Sequence, residues 1–478
     1  MAENKVKHRS VEERVAKGKG YRKKTPVSSS TGWVPAPDRP DPVALLEEQN
    51  RTREQDLVPV RHGRMLVSPF TFYRGAAKIM AADLKDTPRA GLVAQLCGDA
   101  HLSNFGVFAS PERTLLFDLN DFDETLPGPI EYDVKRMAAS FTIAARNNGF
   151  TKEETREVTL TAVRAYREAM AQFAIMRTLD IWYARLSEEQ LLETINLAVA
   201  SQKGKALKKA AQGMEKRAHA NVAKAHTRDS LQALSKLAEL VDGQYRIVSQ
   251  PPIVIPAREL GGSFHMSADE LEHVIHDQLR SYRATLQDDR RRLLERFEII
   301  DVARKVVGVG SVGTRAFIAL LQGRDQQDPL FLQVKEATAS VLEGHLPKSR
   351  YKQPGERVVQ GQRMMQAASD IYLGWTKGVQ DNRYLYWRQL RDMKGSVVIE
   401  TMKPLGMSFY ARICGWTLAR AHARSGDPVA IAAYLGTSDK FDKSVTDFSE
   451  RYADQNDRDY EAFADAVRTG RLQAIEGV

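Results

Sequence analysis

Cysteine is nearly absent. Cys97 and Cys414 are the only two in 478 residues. Two cannot make a disulfide framework, so the expected setting is a reducing cytoplasm. Long apolar runs are also lacking. No stretch approaches the ~18 apolar residues of a membrane span, and the N-terminus carries no apolar signal core. No internal repeat is visible. Nor is there an acidic excess: 70 Lys and Arg stand against 61 Asp and Glu, a net charge of +9. Residues 1–24 hold nine Lys/Arg and three Glu, so they account for six of those charges. The high pI therefore belongs to a terminal segment and not to a basic face. Residues 1–32 read as a disordered basic tail that ends in a Ser/Thr/Gly stretch. Such a tail can touch nucleic acid or an anionic surface weakly; a solvated tail is the preferred reading.

The 42% apolar fraction suits a globular protein with a sizeable core. The length allows about three ordinary domains, or one two-lobed enzyme with additions. The most informative stretch runs from Leu96 to Glu124. It gathers Asp99, His101, Asn104, Asp118, Asp121, Asp123 and Glu124. The apolar runs 92–94 and 115–117 stand just before the two polar groups and read as buried strands presenting side chains at their ends. An Asn oxygen with an Asp carboxylate is the hard ligand set that Mg²⁺ prefers. A further Asp can orient a hydroxyl and accept its proton. The plain alternative is a set of turn formers. A dinuclear metallophosphoesterase would start from the same Asp-x-His, but its other motifs are missing.

Gly98-Asp99-Ala100-His101-Leu102-Ser103-Asn104 resembles the catalytic loop of the kinase-like superfamily, above all the aminoglycoside and choline phosphotransferases. Cys97 stands where that family has its leading His. The resemblance implies Asp99 as base and Asn104 with Asp121 as metal ligands. Asp118 is the alternative to Asp121, and Asp123 is a further candidate. It also implies that Asp133 opens a helix and holds the catalytic loop through backbone hydrogen bonds.

Helical patterns follow over 69–85, 133–147, 151–179 and 267–295, and again over 407–424. The basic run 203–228 reads as a solvated helix face. Arg74, on the first of these helices, stands just before the catalytic strand and is a conceivable phosphate contact. Gly308-Val-Gly310-Ser-Val-Gly313 is a Gly-x-Gly-x-x-Gly, weak when alone. Two apolar runs around the turn 323–329 read as a β-hairpin, with Lys335 at the end of its second strand. This resembles the kinase nucleotide clamp, in which glycine amides cover phosphates and the Lys pairs with them. Glu356 is the candidate partner of Lys335, with Glu343 competing. Residues 384–390 read as the strand that would meet the adenine edge. His422 reads as a packing residue.

The motif order is inverted, because the Asp/Asn/Asp loop precedes the Gly-rich hairpin by about 200 residues. The expectation is an α+β, two-lobed, protein-kinase-like fold that is circularly permuted. Residues 33–300 would form the catalytic-loop lobe and a helical region. Residues 301–400 would form the nucleotide clamp, and 401–478 the helices completing the large lobe. The chain also resembles the bacterial family called domain of unknown function 2252, which names no substrate. The expected activity is ATP- and Mg²⁺-dependent phosphoryl transfer to the hydroxyl of a small acceptor. The alternatives are AMP transfer to protein hydroxyls and a non-catalytic nucleotide-binding regulatory module.

Overall fold

The computed structural model describes residues 8–200, 205–260, 268–378, 383–390 and 392–477. The N-terminal segment is helical where a disordered tail was expected. Ser10 and Glu13 form a reciprocal capping box that opens α1 (Val11–Lys24). Residues 1–7 lie outside the described residues. Asp41 caps α2 (Pro42–Asn50), and α3 (Val58–Leu66) follows. The helix expected over 69–85 is broken at Ala76 into α4 (Pro69–Gly75) and α5 (Ala77–Leu84). Arg61 bridges this break, donating from Nη2 to the Gly75 carbonyl at 2.9 Å.

Two small sheets come next. β1 (Val93–Leu96) pairs antiparallel with β4 (Leu126–Pro129), and β2 (Phe105–Ala109) pairs with β3 (Leu115–Leu119). Between them they present the Leu96–Glu124 stretch. α6 (Ile130–Asn147) and α7 (Lys152–Phe173) form the core of the helical part. α6 is buried from Ile130 to Ala145 although it carries Glu131, Asp133, Lys135 and Arg136. Charged groups that deep must be paired or hydrogen-bonded, which makes α6 a supporting element for a polar site. α7 stops at Phe173, short of the expected 179.

α8 (Thr178–Tyr183), β5 (Leu186–Ser187), α9 (Glu188–Ala200), α10 (Lys205–His226) and α11 (Ser230–Leu237) run around the outside. Lys208, Lys209, Lys216, Arg217 and Lys224 of α10 are exposed, while Ala211, Met214, Val222 and Ala225 are buried. This is the solvated basic face; Lys203 lies outside the described residues. A hairpin of β6 (Ala238–Val241) and β7 (Gln244–Ile247) leads to β8 (Val254–Pro256). The helix expected over 267–295 is two, α12 (Ala268–Arg283) and α13 (Asp288–Leu294). Its proposed cap Ser267 lies outside the described residues.

A six-stranded antiparallel sheet dominates the rest. It holds β9 (Glu298–Lys305), β10 (Ala316–Gln322), β11 (Pro329–Ala337), β12 (Gly374–Lys377) and β13 (Tyr384–Gln389). Its order is β12-β13-β11-β10-β9-β8. Strand alternation splits the apolar residues between two cores. Leu330, Leu332 and Val334 join one with Tyr282 and Trp387, and Phe331 joins the other with Ile318 and Leu320. Lys335 projects on the Phe331 and Gln333 side. α14 (Pro354–Met365) lies between β11 and β12 in sequence and packs on the sheet.

The chain ends in α15 (Pro404–Ser425), α16 (Pro428–Leu435) and α17 (Lys440–Arg468). α15 packs along α7, and α17 crosses α6. α1 docks on α16 so closely that a Cβ on Gly18 would sit 2.2 Å from the Ala430 carbonyl oxygen. Arg14 Nε reaches Asp427 at 2.7 Å, and Arg22 donates to the Ala433 carbonyl. These contacts order a segment whose composition is that of a solvated tail. The architecture is mixed α+β with several antiparallel sheets, and no helix among the described residues is long and apolar enough to cross a membrane.

Candidate functional site

The site starts where β1 ends. Gly98 has φ +84°, and a Cβ there would lie 2.2 Å from the Glu124 carbonyl oxygen, so only glycine fits this turn. Asp133, in the first turn of α6, accepts hydrogen bonds from the Cys97 N–H at 2.8 Å and the Gly98 N–H at 3.0 Å. Its helix starts three residues before it, at Ile130, rather than at Asp133 itself. His422, read from the sequence as a packing residue, is buried within hydrogen-bond distance of Asp133 and Tyr166, at 3.3 and 2.9 Å, and so supports the carboxylate that holds the loop. Asn104 Nδ2 donates to the Asp99 carbonyl at 2.7 Å, which closes the loop.

Asp99 is fixed by a residue the sequence did not point to. Arg136 Nε donates to Asp99 Oδ1 at 2.8 Å. Its guanidinium stacks 3.8 Å from the Tyr73 ring centre, and its Nη2 donates to the Tyr73 carbonyl. Arg136 is one turn beyond Asp133, so one face of α6 serves both the loop backbone and the loop carboxylate. That i,i+3 spacing was the available signal. His101 Nε2 is 3.7 Å from Asp99 Oδ2, beyond a hydrogen bond. Burial, with Arg136 and Arg74 nearby, holds the His101 imidazole well below its ordinary pKa and so neutral.

The second carboxylate group follows β3. Asp118 is not at the site surface: it is fully buried, bonded to Arg420 and to the Ala367 N–H at 2.8 Å. It is a structural anchor, so the candidate metal ligand at Asp118 is corrected. Asp121 and Asp123 do face the cleft. Lys335 Nζ lies 2.5 Å from Asp123 Oδ2 and 3.7 Å from Asp121 Oδ1. Tyr386, opposite Lys335 in the β11–β13 register, donates its hydroxyl to Asp123 Oδ1 at 2.6 Å. Burial alone would raise the Asp123 pKa, but the Lys335 ammonium overrides it and holds it below the usual value. Asp121 is raised by burial and by the Asp123 charge beside it.

Glu356 does not reach Lys335, whose ion-pair partners among the described residues are Asp121 and Asp123. Successive helical residues point about 100° apart. α14 turns Arg357 toward the site, where it donates to the Asp123, Thr125 and Thr338 carbonyls at 2.6–2.8 Å. Glu343 sits 3.9 Å from that same Arg357. Gly308, Gly310 and Gly313 occupy the turn between β9 and β10. Gly308 and Gly313 have φ +67° and +85°. Ser311 Oγ is 3.4 Å from Asp123 Oδ2, which brings this turn to the carboxylates.

Between these parts lies a cleft of about 560 Å³, lined among others by Asp99, Asp121, Asp123, Gly310, Arg53 and Arg74. The size is within the ~300–1,000 Å³ of small-molecule sites. Arg53 and Arg74 each have a buried Nε without a hydrogen-bond partner. Among the described residues, no group of three or more His, Cys, Asp or Glu side chains is arranged to enclose a metal ion.

The chain belongs to a family described as an uncharacterized protein conserved in bacteria (DUF2252), whose model matches residues 53–466. No curated protein and no solved structure matches it.

Proposed function

We propose that this member of the bacterial family is an ATP- and Mg²⁺-dependent phosphotransferase acting on the hydroxyl of a small acceptor. The observation that carries the reading is the meeting of Lys335 with Asp121 and Asp123 across more than 200 residues of sequence. Gly310 and Ser311 of the Gly-rich turn and Asp99 of the loop line the same cleft. Positioning and charge neutralisation do most of the work in phosphoryl transfer, and these are the groups that supply them.

The roles follow from the geometry. Asp99, its Oδ1 held by Arg136, has Oδ2 left to orient a hydroxyl and take its proton. Lys335 and the glycine amides of 308–313 hold phosphate oxygens. Asp121, the less tightly paired carboxylate, and the Asn104 amide oxygen are the ligands for Mg²⁺, with Asp123 as a further one. Mg²⁺ commonly takes only one or two carboxylates and completes its shell with phosphate and water, so a site without an all-protein cage fits it. When bound it neutralises charge on the phosphates. The order of these parts supports a two-lobed kinase-like fold in circularly permuted form, with β9–β13 and α14 as the clamp.

The test is ATP turnover over a panel of hydroxyl metabolites, with wild type and Asp99→Ala side by side. Consumption of γ-labelled ATP with the label in the acceptor, lost in Asp99→Ala, is the expected result. Transfer of α-label would instead identify AMP transfer. Turnover of neither label, with no ATP binding, would overturn the reading.

A further inference from the structure

In the kinase-like arrangement just proposed, the segment leaving β13 would be the place where the base docks. Here much of the backbone of that segment's described residues is already paired. Leu390 N–H donates to the Phe331 carbonyl at 2.9 Å. Ala109 N–H donates to the Asp392 carbonyl at 3.1 Å, and Met393 N–H to the Arg228 carbonyl at 2.8 Å. Gly395 exchanges both of its backbone hydrogen bonds with Val107 of β2, each at 2.9 Å. Arg228 Nη1 takes the Lys394 carbonyl at 2.6 Å. The packing is equally tight: a Cβ on Gly106 would lie 2.6 Å from the Gly395 oxygen. The space left between β2 and the exit of β13 is about 30 Å³, room for a water or two and not for a purine.

The open volume lies on the other side of Lys335. Past Lys335 the last residues of β11, Glu336 and Ala337, and then Thr338 and Ala339 line the 560 Å³ cleft. Its far walls are α2 and α5, where Leu45, Ala77 and Ala82 are the apolar contacts beside the Glu48–Lys78 ion pair. Val341 closes it beside them. Arg53 stands between the two ends. It is only 9% exposed, donates from Nη1 to the Val312 carbonyl at 2.5 Å, and has a buried Nε with no partner. Glu124, Asp123 and Glu336 lie near this guanidinium and favour its charge, and a phosphate chain running from Lys335 along the cleft would pass it.

We propose that a bound nucleotide places its base in this cleft, between α2, α5 and the segment 336–345, and not against the exit of β13. The proposal rests on the nucleotide-binding reading above and fixes the direction in which the nucleotide lies. Its phosphates occupy the Lys335 end and pass Arg53, and the base stacks against the apolar wall beyond. The exit of β13 is then a structural seam joining the sheet to β2.

The experiment is photolabelling of the full chain with 8-azido-ATP and Mg²⁺, with and without excess ATP, followed by peptide mapping. Ala339→Trp, on an exposed position of the cleft wall, is measured alongside for ATP affinity and melting temperature. Expected is ATP-protected label in peptides 40–53 or 336–345. The variant should weaken ATP binding by about tenfold or more through steric exclusion, with its melting temperature unchanged. Protected label in peptides 105–109 or 389–395, with Ala339→Trp binding ATP normally, would overturn the orientation while leaving nucleotide binding intact. No saturable label and no ATP binding by wild type would overturn both.

Discussion

Lys335, near the end of β11, and Asp123, in the turn between β3 and β4, meet across the cleft at 2.5 Å between Nζ and Oδ2, 212 residues apart in sequence. Lys335 is 2% exposed and the Asp123 side chain 26%, so the pair is buried at its lysine and open to the cleft at its carboxylate. Removing the lysine leaves that carboxylate unpaired but in reach of solvent, so the cost falls below the about 3–5 kcal/mol of a fully buried pair. Lys335→Met should therefore abolish ATP binding and also lower stability. The sign with pH is fixed by the Asp123 pKa, which is depressed in the folded state. That carboxylate contributes stability above its unfolded value of 3.8 and loses it as pH falls through the folded value. The stability gap between wild type and Lys335→Met, measured by urea melts, should be largest near neutral pH and narrow below about 4. A gap independent of pH would show that the pair does not set the energetics.

Asp118 and Asp121 separate structure from chemistry within four residues. Asp118 is fully buried and bonded to Arg420 and to the Ala367 N–H. Asp118→Asn leaves the Arg420 guanidinium without its carboxylate in the core and should cost about 3–5 kcal/mol. Asp121, partly exposed and more loosely paired, should tolerate Asn with little change in melting temperature. The same change should remove most of the Mg²⁺ dependence of nucleotide binding. Calorimetric melts and ATP titrations with and without Mg²⁺ check both halves. The opposite pattern would return the metal role to Asp118.

Much of the site was legible because its signals are local. Apolar runs ending at Gly98 and at Asp118–Asp121 did become strands delivering polar groups. The turn 323–329 did join two strands, with Lys335 near the end of the second. Asp133 was readable only through the resemblance of its segment to the phosphotransferases. What could not be read depends on partners far away in sequence. Asp118 and Asp121 look alike until Arg420, some 300 residues on, takes one of them. Glu356 and Arg357 are neighbours in sequence, and only the docking of α14 decides which faces the cleft. α1 has almost no apolar face; it is held by the close approach at Gly18 and by Arg14 and Arg22 on α16. Composition sees the charges and predicts solvation.

Glu124 gives the last prediction. Its Oε2 accepts the Val341 N–H at 2.7 Å, and its carbonyl oxygen accepts the Ser340 hydroxyl at 2.8 Å. Burial raises its pKa from 4.5 to about 7, although Arg357 pulls the other way. Between those two values the folded chain holds a proton that the unfolded chain has released. Stability must then fall as pH rises from about 4.5 to about 7 and level off above it. At 1.36 kcal/mol per pH unit the ceiling of this step is about 3.4 kcal/mol, and solvent reaching Glu124 from the cleft lowers it. Glu124→Gln keeps an oxygen for the Val341 amide and has no charge to bury. It should flatten this slope and be more stable than wild type at pH 8 by about 1–3 kcal/mol. Urea unfolding of both proteins from pH 5 to 8 decides it. Parallel curves would mean that Glu124 is already ionised throughout that range.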